Sequence, residues 1–119
     1  MTNTIFVSVA FKREAKRLIK KYSTLQTSIN NLLTNLAENP HLGSPYGEGI
    51  YKIRLADKSK GKGKSGGFRV MYYHLNKTEK GIEILMMSIY DKSEKATIKK
   101  DDAIKKLQEI MSEHINQKH

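Results

Sequence analysis

Lys52 and Arg54 stand two residues apart in Tyr51-Lys-Ile-Arg-Leu55, so on a strand their cations share one face while Ile53 and Leu55 share the other. Arg69 opens a later strand-like run, and Lys92 follows just past the end of another. If those strands are neighbours, four cations converge on one sheet surface. Arginine in such a group offers fixed, paired donors suited to phosphate oxygens. Alternating charge is also what an ordinary water-facing strand displays, and the pattern by itself leaves both readings open.

A second cationic feature lies between Asp57 and Gly67. The segment Lys58-Ser-Lys-Gly-Lys-Gly-Lys-Ser-Gly-Gly67 sets Lys58, Lys60, Lys62 and Lys64 on a glycine-rich backbone able to follow a phosphate chain. It is not a P-loop, because Gly63-Lys64-Ser65 would require glycine where Lys58 stands, and the segment joins two strands rather than a strand and a helix. Nor is it the base-stacking motif of RNA-recognition domains, since Ser65, Gly66 and Arg69 occupy positions where that motif needs glycine, aromatic and aliphatic residues.

The whole chain shares this bias. Lys and Arg number 22 against 12 Asp and Glu, a net charge of +10, which suits a protein that meets phosphate backbones or an acidic partner. The absence of cysteine excludes disulfides and thiolate metal sites and fits a reducing compartment. Four scattered histidines give no metal-binding pattern, and neither a metal nor a cofactor is expected. The apolar patch Ile5 to Ala10 is short and runs into Lys12 and Arg13, unlike a signal peptide, and no apolar run approaches the roughly 20 residues that span a bilayer. A cytoplasmic protein without membrane contact is expected, with one domain over residues 1–119.

The elements that would position the cations follow from periodicity. Residues 4–9 alternate as a first strand. Phe11, Ala15, Leu18, Ile19 and Tyr22 then mark one face of a helix, with lysines and arginines on the other. Ser23 or Thr24 can cap a second helix carrying Leu25, Ile29, Leu32, Leu33 and Leu36, which Pro40 stops. Gly43, Pro45, Gly47 and Gly49 predict a loop, followed by strands at 50–56, 68–75 and 82–90. The nearly continuous apolar character of 82–90 suggests a strand buried on both faces. Asp101 can cap a last helix carrying Ala103, Ile104, Leu107, Ile110, Met111 and Ile115. The expected class is α+β in βααβββα order, a mostly antiparallel sheet with the helical hairpin on one face, a C-terminal helix, and the other face partly open.

FKREAKRLIKKY at 11–22, YKIRLA at 51–56, GKGKSGGFRVMYY at 61–73 and ILMMSIYDKSE at 84–94 resemble, in consistent order, the RelE/ParE superfamily of bacterial toxins, particularly its HigB-type and RelE-type mRNA endonucleases. The lysine–glycine loop and GGFR are the most specific part. The resemblance implies a compact domain with two helices on an antiparallel sheet, cleavage of mRNA in the ribosomal A site, and neutralisation by a cognate antitoxin. It places Lys52, Arg54, Arg69 and Lys92 at the positions of the family's catalytic cations.

Two departures accompany it. Lys92 stands where arginine is common, and Ile98 lies near where a catalytic tyrosine is expected. Tyr73, His74 and Tyr90 are the remaining acid–base candidates, and Lys52, crowded by other cations, is a plausible proton acceptor. Two other functions stay open within this frame: a ParE-like inhibitor of DNA gyrase, and an RNA-binding module without catalysis.

Overall fold

Ser8 decides where the first strand ends. Its hydroxyl accepts a hydrogen bond from the Phe11 N–H at 3.0 Å, the arrangement of a helix N-cap, so β1 covers Thr4–Val7 and α1 covers Val9–Lys21. The strand is therefore two residues shorter than alternation predicts. The computed structural model describes residues 3–60, 67–95 and 97–117.

α1 turns Phe11, Ala15 and Leu18 inward, and Lys20 and Lys21 in its last turn complement the helix dipole. α2, Leu25–Glu38, buries Leu25, Ile29, Leu32 and Leu36. Thr24 sits at the cap position of α2, yet its hydroxyl bonds the Asp57 carboxylate at 2.6 Å instead of the helix backbone.

The 43–49 segment is not merely a loop. Ser44–Gly47 forms β2, an edge strand, the position in a sheet where a proline such as Pro45 is tolerated. β3 (Ile50–Leu55), β4 (Phe68–Thr78) and β5 (Gly81–Asp91) follow, then α3 (Lys100–Gln117). The sheet order is β1-β5-β4-β3-β2, with only β1 paired in parallel. β5 lies between β1 and β4 and is buried continuously from Ile84 to Asp91, as its apolar run predicts.

The helical hairpin covers one face, where Leu18, Leu25, Leu36, Phe68, Val70, Tyr72, Ile84 and Met86 form the larger core. The second face is more covered than expected. α3 packs Ala103, Leu107 and Ile110 against Ile50, Met71, Leu85 and Met87, leaving open only the part of that face beyond them.

An irregularity in β5 assigns the last residues to their sides. Met71 pairs with Ser88 and Tyr72 with Met86, so Met87 is an extra residue that reverses the alternation beyond it. As a result Ile89 joins the hairpin core, Tyr90 pairs across from Arg69, and Asp91 turns toward the hairpin, where Tyr22 reaches it. Past the end of β1 the open edge of β5 is closed by a side chain: Glu14 Oε1 accepts from the Ile89 N–H at 3.2 Å and the Ser88 hydroxyl at 3.0 Å, while Lys106 from α3 holds Glu14 Oε2 at 2.6 Å. This network ties α1 to α3 around the sheet.

Candidate functional site: a cation-lined cleft

Arg54 and Arg69 are direct partners across β3 and β4, and Lys52 lies two residues along the same face of β3. Lys92 is held beside them because its N–H donates to the Gly67 carbonyl at 3.1 Å, clamping the turn after β5 to the start of β4. The four cations predicted from sequence all line one cleft of about 460 Å³. Leu42, Gly43 and Ser44 form one wall and Thr97 contributes to the other. Gly43 is needed for that wall, since a Cβ there would stand 2.9 Å from both the Lys52 carbonyl and the Tyr72 hydroxyl.

The electrostatics are one-sided. Like charges placed opposite one another on a sheet oppose pairing. Among the described residues, no carboxylate lies within ion-pairing distance of Lys52, Arg54, Arg69 or Lys92. Burial lowers the pKa of Lys52, and the charges of Arg69, Lys92 and Arg54 lower it further. The expected crowding of this lysine is therefore present.

Arg69 is the buried member of the group, only 6 % exposed. Its Nη1 donates to the Phe68 carbonyl at 3.2 Å, and its Nη2 is buried with no partner among the described residues. A buried guanidinium left partly unsatisfied costs folding free energy and gains most when an anion arrives.

The loop lysines divide. Lys58 is exposed in a 3-10 turn spanning Lys58–Lys60. Lys60 does not stand free to follow a phosphate chain: its Nζ lies 2.8 Å from Asp91 Oδ2, with Asp91 fully buried, and 4.9 Å from the centre of the Tyr22 ring. Lys62 and Lys64 lie outside the described residues.

Asp91 also accepts from Tyr22 at 3.1 Å and from the Ser93 N–H at 2.9 Å. Burial alone would raise its pKa, but the bonds from Lys60, Ser93 and Tyr22 overcome this and bring it to about 2. Asp57 is built alike. Burial again opposes ionisation, and bonds from Ser28, Ser59 and Thr24 lower its pKa to about 2.

Of the acid–base candidates, His74 lies away from the cleft. It stacks on Tyr51 at 4.2 Å and its Nε2 meets the Pro40 carbonyl at 2.7 Å, with burial lowering its pKa. Tyr73 packs against the α3-side core. Tyr90, opposite Arg69, is buried and, among the described residues, its hydroxyl has no hydrogen-bond partner of normal geometry; burial raises its pKa, against a smaller pull from the backbone N–H of Ile98 and the charge of Arg69. Sequence reasoning missed Tyr46. Its ring faces Lys52 Nζ at 4.7 Å and its hydroxyl donates to the Ile98 carbonyl, beside the position where a catalytic tyrosine was expected. The only signal for it was an aromatic residue in a segment whose glycines and proline read as loop.

The sheet order, the hairpin behind it and the cleft define a small α+β protein with four cations gathered on one open surface. The chain belongs to the RelE toxin family: the family described as RelE toxin of the RelE/RelB toxin-antitoxin system matches residues 3–119. It is thus a toxin of a toxin-antitoxin system, for which the family implies an antitoxin partner. No curated protein matches the chain. Among the described residues, no helix is long and apolar enough to cross a membrane.

Proposed function

We propose that this toxin is a cytoplasmic, ribosome-dependent mRNA endonuclease of the RelE or HigB kind. The observation that carries the reading is Arg69, a buried guanidinium with an unpartnered Nη2 set opposite Arg54 in a cleft without a paired carboxylate among the described residues. Such a site is completed by a phosphate.

RNA brings its own nucleophile. With the 2′-OH aligned on the adjacent phosphate, the neutral amine of Lys52 accepts its proton as the 2′-oxygen bonds to phosphorus. Arg69 and Arg54 stabilise the charge that develops on the non-bridging oxygens. The bond to the 5′-oxygen breaks, and Lys92, exposed at the rim, gives that oxygen a proton. The products are a 2′,3′-cyclic phosphate and a 5′-OH. Lys58, Lys62 and Lys64 contribute to holding the backbone outside the cleft. The antitoxin neutralises the toxin by covering or distorting the cationic face with an acidic segment.

The test is induction of the chain without its antitoxin, following amino-acid and thymidine incorporation separately and mapping mRNA ends. Translation is expected to stop first, with new 5′-OH ends in translated messages. Failure of DNA synthesis with intact mRNA would establish gyrase inhibition instead. Ribosome binding without new ends would leave an RNA-binding module.

A further inference from the structure

β2 brings the ring of Tyr46 against Lys52, one of the cations that line the cleft. Its pairing with β3 shifts register between Pro45 and Gly47, so Tyr46 is the extra residue of a bulge, a device that re-aims a side chain. The turn that follows is expensive. Gly47, Glu48 and Gly49 have φ of 98°, 56° and 82°, three consecutive residues in the left-handed region, and Glu48 is the one non-glycine with positive φ among the described residues. Lys100 packs over Gly47 so closely that a Cβ there would meet its Cε at 2.6 Å.

This backbone presents the face of the Tyr46 ring to Lys52 Nζ and fixes the ring from its far end through the bond from the hydroxyl to the Ile98 carbonyl. Lys52 has no carboxylate partner among the described residues, and Arg54 on β3, Arg69 on β4 and Lys92 after β5 all repel its ammonium. The ring is the attractive surface that the structure gives it.

We infer that Tyr46 is a positioning residue for Lys52, holding the amine against repulsion from the other three cations and setting its proton affinity. The inference rests on the proposal that Lys52 receives the 2′-OH proton. A cation over an aromatic face is favoured in its charged form, so the ring counteracts part of the depression caused by burial and the neighbouring charges. Without it the amine is both less basic and less well placed.

The experiment follows the Lys52 side chain by ¹⁵N and ¹³C NMR across pH, assigned by Lys52→Arg, in wild type, Tyr46→Phe and Tyr46→Leu, with single-turnover cleavage on programmed ribosomes in parallel. Tyr46→Phe keeps the ring and is expected to titrate with the wild type and retain most of its cleavage rate. Tyr46→Leu is expected to titrate at lower pH and to cleave roughly tenfold more slowly with unchanged ribosome association, a smaller loss than the roughly 100-fold that a full 1 Å misplacement can cost. If Tyr46→Leu does not fold, Tyr46→Met serves in its place. A leucine or methionine variant that titrates and cleaves like the wild type overturns the inference, as does a phenylalanine variant that falls with it. If the wild type itself does not cleave, the nuclease reading fails, while the titration still decides whether Tyr46 governs Lys52.

Discussion

Asp91 and Lys92 are neighbours in sequence and belong to opposite sides of the sheet. Asp91 points toward the hairpin, where Lys60, Tyr22 and Ser93 satisfy it. Lys92 lines the cleft on the other side with Lys52, Arg54 and Arg69, where no carboxylate answers it among the described residues. The extra residue at Met87 creates this division, because it sets Asp91 and Tyr90 on their respective faces. The first cluster is closed and its charges are paired, so it holds the fold. The second is open and its members repel, so it weakens the fold, and on the proposed function that cost is recovered when a phosphate enters. Two groups of charge a few residues apart therefore carry opposite relations between stability and function.

The largest effect that tests this contrast is expected at Arg69. Replacing it with alanine should lower single-turnover cleavage by about 100-fold or more, the scale seen when one stabiliser of developing charge is removed. Lysine should recover only part, having charge without the two-pronged geometry. Stability should move the other way for Arg69→Met, which fills the space without burying a partly unsatisfied guanidinium, so its melting temperature is expected to equal or exceed that of the wild type. A methionine variant that unfolds would place Arg69 in the structural cluster and end the contrast.

Asp91 and Asp57 should show the reverse. Each has a folded-state pKa near 2, below that of an unfolded aspartate, so each contributes stability that is present above about pH 4 and lost as pH falls toward 2. The contribution is on the order of 2 kcal/mol for each carboxylate at neutral pH. Asp91→Asn should cost about 2–3 kcal/mol at pH 7, since it leaves the Lys60 ammonium without its counter-charge, and should flatten the acid limb of the stability curve. Denaturant unfolding from pH 6 to pH 2.5 measures both. Acid limbs that run parallel in the variant and the wild type would remove Asp91 from the account.

The legible part of the molecule was the part governed by periodicity. The helices at 9–21 and 25–38 repeat apolar residues at helical spacing, the alternation in Lys52-Ile-Arg54 placed two cations on one face, and the apolar run of β5 gave its interior position. What escaped depends on contacts distant in sequence. β2 was hidden by proline and glycines that read as a loop, although they serve an edge strand and a strained turn. The bulge at Met87 leaves no mark because the residues around it, Leu85 to Ile89, are all apolar or small. Lys60 looked like its neighbours in the lysine–glycine segment, and only the fold brings Asp91, 31 residues away, to it. The burial of Arg69 has no local signal either, since it comes from pairing on both sides, with Arg54 and Tyr90.

The smallest expected effect separates two lysines in a single 3-10 turn. Lys58 is exposed and Lys60 is anchored, with its side chain 14 % exposed, so the same substitution should be read out in different assays. Lys58→Gln removes one phosphate contact and should weaken ribosome association a few-fold, with the log–log salt slope reduced by about one. Its melting temperature should stay near that of the wild type, as for surface substitutions that change stability by less than about 0.5 kcal/mol. Lys60→Gln should instead lower the melting temperature, because Asp91 keeps its burial and loses its nearest counter-charge. Its salt slope should stay close to the wild-type value once the comparison is made well below the melting transition. Association measured from low to moderate salt, with thermal melts of both variants, decides the matter. If Lys60→Gln changes the salt slope as much as Lys58→Gln and leaves the melt untouched, the ion pair with Asp91 opens when RNA binds, and Lys60 belongs with the phosphate-binding lysines after all.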